Sequence, residues 1–545
     1  MSCVRLTFHG AARAVTGSCF RLETAAGQIL IDCGLYQGSK SEKELNYREF
    51  PFSPRDIDAV ILTHAHIDHS GLLPKLVRDG FGGPIYSTGA TAELSAVMLP
   101  DSAHIQEIEV EQLNRRNARR HRASVEPIYT AGDVDKCIKL FDVQDFKKWC
   151  EVLPGVRARF WNAGHLLGSA SVELEVQEQG REAPMRLLFS GDIGPDFKLL
   201  HSDPEAPSGV DYVVCESTYG DTDRTDLDED QRRALLCSEV RAAMHPDGVL
   251  LIPSFAVERA QELISDLTRL IAEGELPMIP IYVDSPLAEK ATNVFARNWQ
   301  QLKDGAMLVH GLKSRALHFT ESVEQSIALD RLRGFHIIIA ASGMCEAGRI
   351  RYRLKNWLWR DEATVLLVGY QAVGTLGRIL QEGASSVRIQ GQDFKVRARI
   401  RTIDFFSGHA DGPQLVDWIA QRLPISQGLF LVHGEDDAIA GLMNRLSGRV
   451  DQERIAVPVL DETFELSKAG AKRLPGKAVP RLPADRVARI DWHNDVTALF
   501  LDVNDALALL PDEKTRAILI RKLRRVLEDH EPAQAPPARS RLKKP

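Results

Sequence analysis

Hydrophobic and polar positions alternate from the first residues of the chain. Val4-Arg5-Leu6-Thr7-Phe8 has period-2 character, and the pattern predicts short strands over residues 5–8, 18–23 and 28–31 with glycine-containing turns between them. The apolar run Asp58-Ala59-Val60-Ile61-Leu62-Thr63 reads as a buried strand over 59–62, and a helix begins behind it at 71–76. Residues 91–150 read as helical. Strands follow at 171–176 and 187–189. From about 217 to 396 the pattern changes. Four buried runs, 249–253, 279–283, 335–340 and 364–368, alternate with helical segments such as 257–272, which predicts an α/β unit with a parallel sheet, large enough to be its own domain. Another apolar strand closes at Phe430-Leu431-Val432-His433. Beyond about 473 come a Pro- and Arg-rich linker, a helix over 504–530 and a basic tail, 532–545, with the composition of a disordered segment. No internal repeat is evident.

Composition changes this picture little. With 545 residues, two or three domains are expected, and 44% hydrophobic with 26% charged residues is ordinary for a soluble globular protein. No apolar run approaches the ~18 residues of a membrane span, and the first residues lack a signal-peptide core, so the expected location is cytoplasmic. Eight cysteines are scattered without a C-x-x-C pair, which suits reduced thiols better than a disulfide framework. The net charge of −7 means that any nucleic-acid partner must meet a local basic groove. Arg115-Arg116-Asn117-Ala118-Arg119-Arg120-His121-Arg122 could be such a patch, although a solvated helix face is the favoured reading.

The densest chemistry lies in His64-Ala65-His66-Ile67-Asp68-His69. Imidazole nitrogen and carboxylate oxygen are ligands that zinc accepts. His64 and His66 can share one side of an extended segment and grip one metal, while Asp68 and His69 reach a second. Metals about 3.5–4 Å apart can activate water and clamp the oxygens of a phosphoester. Isolated histidines are usually surface or core residues, but four potential ligands directly after a buried strand make that reading poor. Two later loops supply what the cluster lacks: His165 in Asn162-Ala163-Gly164-His165, and Asp192 at the end of an apolar strand in Ser190-Gly191-Asp192. His409 in Ser407-Gly408-His409-Ala410-Asp411 and His433 stand at expected strand ends.

With these residues in view, the chain resembles the metallo-β-lactamase superfamily, specifically its β-CASP ribonuclease branch. Over roughly residues 1–472 the motifs occur in order. Asp32 in Ile31-Asp32-Cys33-Gly34 matches the first, His64, His66, Asp68 and His69 the second, His165 the third and Asp192 the fourth. Glu216 in Cys215-Glu216-Ser217-Thr218-Tyr219-Gly220 matches the first β-CASP motif, His409 the second and His433 the third. The resemblance implies an α/β fold, an αββα sandwich with an inserted α/β cap. Its core would be 1–208 and 397–472, its cap 209–396, and 473–545 would be a C-terminal extension. By resemblance His64, His66 and His165 hold one zinc, Asp68, His69 and His433 hold another, Asp192 bridges, and Asp32 orients a ligand. His409 is the implied general acid, with Glu216 placed to orient it. Two zinc ions would activate a hydroxide for attack on phosphorus. A histidine at the third β-CASP motif is associated in this branch with RNA processing. The Gly-rich turn Ala341-Ser342-Gly343-Met344, with Arg349, resembles a cap segment that could meet phosphate through Ser342, Gly343 and Arg349, and a plain strand-to-helix turn is an equal alternative. Tyr352-Arg353 stands where members often carry a histidine pair.

The expected protein is therefore a zinc-dependent ribonuclease, endonucleolytic, 5′-to-3′ exonucleolytic or both. Its expected partner is single-stranded RNA, with no membrane and with a homodimer as one way to gain affinity. Two alternatives stay open. The same core supports hydrolysis of small esters or thioesters, and a relative that had lost its ligands would be a scaffold.

Overall fold

In the computed structural model, two mixed sheets face one another through a shared apolar layer. The structure describes residues 4–476 apart from 39, 120, 178–182, 197, 225–227, 370, 372–373 and 404–405, together with 481, 503, 506, 507, 509, 510 and 512–528. The eight-stranded sheet begins as an antiparallel meander of Val4–Phe8, Phe20–Thr24 and Gly27–Ile31, then continues in parallel through Ala59–Ile61, Ile85–Thr88 and Phe141–Gln144. Glu462–Ser467 and Gly470–Arg473 complete it on the far side of Val4–Phe8. The seven-stranded sheet runs from Trp149–Leu153 through Val156–Asn162, Ala170–Val176 and Met185–Phe189 to the parallel strands Tyr212–Glu216, Gly428–Val432 and Ile455–Ala456. Inward residues such as Leu6, Phe8, Ile29, Phe160, Leu187 and Phe430 form the layer between the sheets. Phe8 touches Phe20, Phe430 and Phe464 at 5.1–5.9 Å between ring centroids, contacts that add specific geometry to area burial.

Tyr212–Glu216 and Gly428–Val432 are hydrogen-bonded neighbours, with Glu216 opposite Val432. The chain between them forms a second α/β unit whose six strands are all parallel, in the order Leu317–Phe319, Ile281–Asp284, His336–Ala340, Val249–Pro253, Ala363–Leu367, Arg399–Thr402. Its last strand lies beyond residue 396, where the sequence pattern had closed the cap. The central strands are buried on both faces, as a parallel sheet covered by helices requires. The helices include Glu229–Ala243, Arg259–Ala272 and Pro286–Arg297.

The helical reading of the segment before the second sheet needs correction. Residues 91–150 are not helical throughout. Helices occupy Gly89–Arg119 and Ala131–Ile138, but Phe141–Gln144 and Trp149–Leu153 are strands. The first is recruited by the open edge of Ile85–Thr88, and the second forms a hairpin with Val156–Asn162 around Pro154-Gly155, a turn dipeptide. Arg115, Arg116 and Arg119 are exposed, and Arg115 pairs with Glu111 four residues earlier at 2.6 Å.

Residues 490–545 separate from 1–489 as a second unit. Within it Glu513–Glu528 is helical. The expected tail at 532–545 lies outside the described residues. No helix among the described residues is long and apolar enough to cross a membrane. The seven described cysteines are free thiols.

Candidate active site

The Ala59–Ile61 strand ends in the loop that carries His64 and His66, and a one-turn helix, Ile67–Ser70, carries Asp68 and His69. Asp32 stabilises this loop from the neighbouring strand end. Its carboxylate accepts the Thr63 N–H and the Thr63 hydroxyl, both at 2.8 Å, and meets His69 Nδ1 at 2.7 Å. A carboxylate against Nδ1 fixes a proton there and turns Nε2 toward the cluster. Gly34 is required for this approach, because a Cβ on it would stand 1.6 Å from the Asp68 carbonyl oxygen. Gly194 likewise admits the His165 loop, since its Cβ would lie 1.9 Å from the Gly164 carbonyl oxygen.

Three ligand-like groups result, each with its donor atoms within 4.8 Å of one another: His64, His66, His165 and Asp192; Asp68, His69 and His433; and Asp192, Glu216 and His409. His66 Nδ1 stands 3.1 Å from His64 Nε2 and 3.0 Å from His165 Nε2. His165 gives its Nδ1–H to the Gly408 carbonyl at 2.6 Å, so its Nε2 carries a lone pair into the cluster. His69 Nε2 and His433 Nε2 are 3.2 Å apart. Asp192 lies between the groups, with Oδ2 3.4 Å from His64 Nε2 and Oδ1 3.2 Å from His69 Nε2.

The electrostatics of this arrangement favour a cation. Burial holds His64 and His165 well below the ordinary imidazole range and puts His66 at about 4, so these three are neutral bases. Burial alone would lower His69 too, but Asp192 and Asp32 outweigh it and raise His69 well above the range. Burial would raise Asp192, yet His433 and His69 keep it well below the carboxylate range. Asp192 Oδ1 is buried, and apart from its ion-pair contacts with His69 and His433 it has no hydrogen-bond donor among the described residues. Converging lone pairs and a buried carboxylate are what a metal ion satisfies, and the N/O donor set suits zinc.

His409 borders both groups. Its Nδ1 is 3.2 Å from each Glu216 oxygen and 3.9 Å from Asp192 Oδ2. Glu216, fully buried, accepts the Ile193 N–H at 2.5 Å and the Thr218 hydroxyl at 2.6 Å. Thr218 Oγ1 also meets His433 Nδ1 at 3.0 Å, which links the β-CASP motifs to one another. His409 was expected at a strand end, but it sits in the turn before the Gly412–Ala420 helix, whose N-cap is Asp411. Asp411 accepts the Gln414 N–H there, so local capping wins over strand extension.

The structure thus brings together Asp32, His64, His66, Asp68, His69, His165, Asp192, Glu216, His409 and His433. Ser342, Gly343 and Arg349 belong to none of the three ligand-like groups and lie in the loop after His336–Ala340. Arg349 is occupied internally, by Asp284 Oδ1 at 3.0 Å and by the Thr320 and Glu321 carbonyls at 2.9 and 3.0 Å. Ser342 Oγ accepts the Ala347 N–H at 3.1 Å, and Gly343 packs against Phe255. Thr63, Thr218 and Gly408 are site residues that motif spacing missed. Thr63 acts through two hydrogen bonds to Asp32, Thr218 through contacts to Glu216 and His433, and Gly408 through its carbonyl to His165, and a lone threonine or glycine carries no periodic signal.

Comparisons with known proteins agree with this geometry. The metallo-beta-lactamase superfamily model matches residues 12–216, the Beta-Casp domain model matches 260–380, and the model of the Zn-dependent metallo-hydrolase RNA specificity domain matches 393–458. Ribonuclease TTHA0252 of Thermus thermophilus is 35% identical over 460 residues, covering 83% of this chain and 98% of the relative. The RNase J-like protein of Methanocaldococcus jannaschii is 31% identical over 443 residues, 79% of this chain and 93% of the relative. Transcription termination factor FttA of Methanothermobacter thermautotrophicus is 30% identical over 454 residues, 79% and 67%. Motifs, geometry and relatives together establish that the chain belongs to the β-CASP ribonuclease branch of the metallo-β-lactamase superfamily and is a metal-dependent hydrolase.

Proposed function

We propose that this protein is a ribonuclease that uses two zinc ions to hydrolyse single-stranded RNA. The observation that carries the reading is the placement of His409. It stands beside both ligand groups with its Nδ1 held by a buried carboxylate. His64, His66 and His165 would hold one ion and Asp68, His69 and His433 the other, with Asp192 shared. When bound, the ions supply Lewis acidity that brings the pKa of water toward ~7 and neutralises charge on phosphoryl oxygens.

The chain's own residues do the rest. Glu216 fixes the His409 ring and takes its Nδ1–H, which leaves Nε2 to face the scissile bond. A proton on Nε2 passes to the leaving ribose oxygen as the P–O bond breaks, so no alkoxide has to depart. Thr218 ties Glu216 to His433 and keeps the acid and one ligand group in register. Asp32 keeps His69 in its binding tautomer. Named ribonuclease relatives support RNA as the substrate.

His409→Ala is expected to lower kcat on RNA by about 10²–10⁴-fold, the ordinary range for loss of a general acid, while zinc content stays at wild-type level. Single-turnover cleavage and metal analysis of the purified variant check this. Unchanged kcat would remove His409 from the chemistry. Wild-type hydrolysis of small esters, with no RNA cleavage by zinc-loaded protein, would favour the small-ester alternative.

A further inference from the structure

A second buried cluster, outside the chemistry above, joins the inserted α/β unit to a ligand loop. Lys198, His201 and Glu258 are 3%, 4% and 6% exposed. Lys198 and His201 follow Asp192 in the sandwich. Glu258 belongs to the inserted unit, at the N-cap of the Arg259–Ala272 helix. The Lys198 ammonium donates to the backbone carbonyl of His165 and pairs with Glu258 Oε1 at 3.1 Å. His201 Nε2 meets the same carboxylate at 2.7 Å and 2.8 Å.

Three features set this cluster apart from an ordinary seam. A buried ion pair is a weak device for stability, since well-packed apolar residues often do as well. Glu258 has a φ of 74°, a left-handed conformation that a side-chain-bearing residue rarely adopts and that surrounding structure must enforce. The cluster also ends on His165, whose ring is fixed from the other side by Gly408. Rotation of the 165–166 peptide plane would swing the imidazole, and the Lys198 ammonium holds that plane.

We infer that Lys198 is a positioning residue for His165 and that Glu258 makes its hold depend on the inserted unit, so that affinity for the ion at His64, His66 and His165 is coupled to the seating of the cap. This rests on the reading of His165 as a ligand. Groups that orient a metal ligand are typically worth about 10–100-fold in metal affinity.

The test is zinc binding by the full-length chain in competition with a chromophoric chelator. Lys198→Met is expected to raise the dissociation constant of one zinc equivalent about 10–100-fold and leave the other unchanged. Glu258→Gln, nearly isosteric, is expected to weaken the same equivalent. Excess zinc should restore kcat in both variants, a rescue that a purely structural defect would not permit. If Lys198→Met does not fold, Glu258→Gln decides alone. Folded variants that retain both equivalents with wild-type affinity would overturn the inference. A wild-type chain that binds no zinc would overturn the ligand assignment itself, and the inference with it.

Discussion

At the scale of single residues, the site is a set of imidazoles whose proton positions are imposed by their neighbours. Asp32 on His69 and the Gly408 carbonyl on His165 each take an Nδ1–H and leave Nε2 facing the cluster. Asp32→Asn tests this directly. The amide can still accept from Thr63, but its NH2 would confront the His69 Nδ1–H and favour the other tautomer. The expected result is a loss of about 10–100-fold in metal affinity or in kcat, read by chelator competition and by cleavage rate. Wild-type values for both would show that His69 needs no such constraint. The histidine–aspartate cluster was legible because H-x-H-x-D-H places four donors within six residues. Their supports were not, because Thr63, Thr218 and Lys198 are ordinary in sequence and gain a role only through contacts across the fold. Arg349 is the converse case. Its Gly-rich setting suggested a phosphate contact, and its guanidinium is hydrogen-bonded to Asp284, buried in the adjacent strand. Arg353, the departure from the usual histidine pair, is drawn into the same network through Asp284 Oδ2 at 3.0 Å.

Among elements, strands that are buried on both faces were the easiest to read. Val249–Pro253 lies where its unbroken apolar run placed it, because a covered parallel sheet imposes no alternation. Phe141–Gln144 was missed because an edge strand with two exposed central residues has no hydrophobic period, and only the free edge of Ile85–Thr88 makes it a strand. The first and the penultimate strands of the eight-stranded sheet pair with each other, and His9 and Asp461 lock their ends. His9 Nδ1 donates to Asp461 at 2.8 Å, while Nε2 is buried with no hydrogen-bond partner among the described residues and the ring packs on Phe52. Burial lowers His9 from 6.5 to about 4 despite Asp461. The unfolded chain therefore binds a proton between these values and the folded chain does not. The neutral form's stability is fully present above pH 6.5 and is lost as pH falls through about 4, a contribution of order 3 kcal/mol. Denaturation midpoints of His9→Gln should fall less steeply between pH 6.5 and pH 4 than those of the wild type. Equal slopes would remove His9 as the origin of this dependence.

For the whole molecule, the decisive feature is topological. The second α/β unit leaves the sandwich after Tyr212–Glu216 and returns at Gly428–Val432, two adjacent strands. Glu216 ends the outgoing strand, His433 follows the returning one and His409 lies on the way back, so the insertion itself brings these three residues together. The sequence pattern revealed a separate α/β unit because apolar runs replace alternation there, and its insertion into the sandwich was what the family resemblance implied. It could not show that Lys198 and Glu258 meet, since they lie on different units. With a net charge of −7, attraction to RNA must come from local groups, and binding should weaken with salt. The central claim is metal-dependent hydrolysis of RNA. The most direct measurement is a cleavage time course on matched single-stranded RNA and DNA oligomers, labelled at either end, with and without chelator and after zinc is restored. The account predicts RNA cleavage that chelator abolishes and zinc recovers, with DNA left intact and the product ladder reporting endo or exo mode. Zinc-loaded protein that cleaves neither oligomer, or cleavage that persists undiminished in chelator, would contradict it.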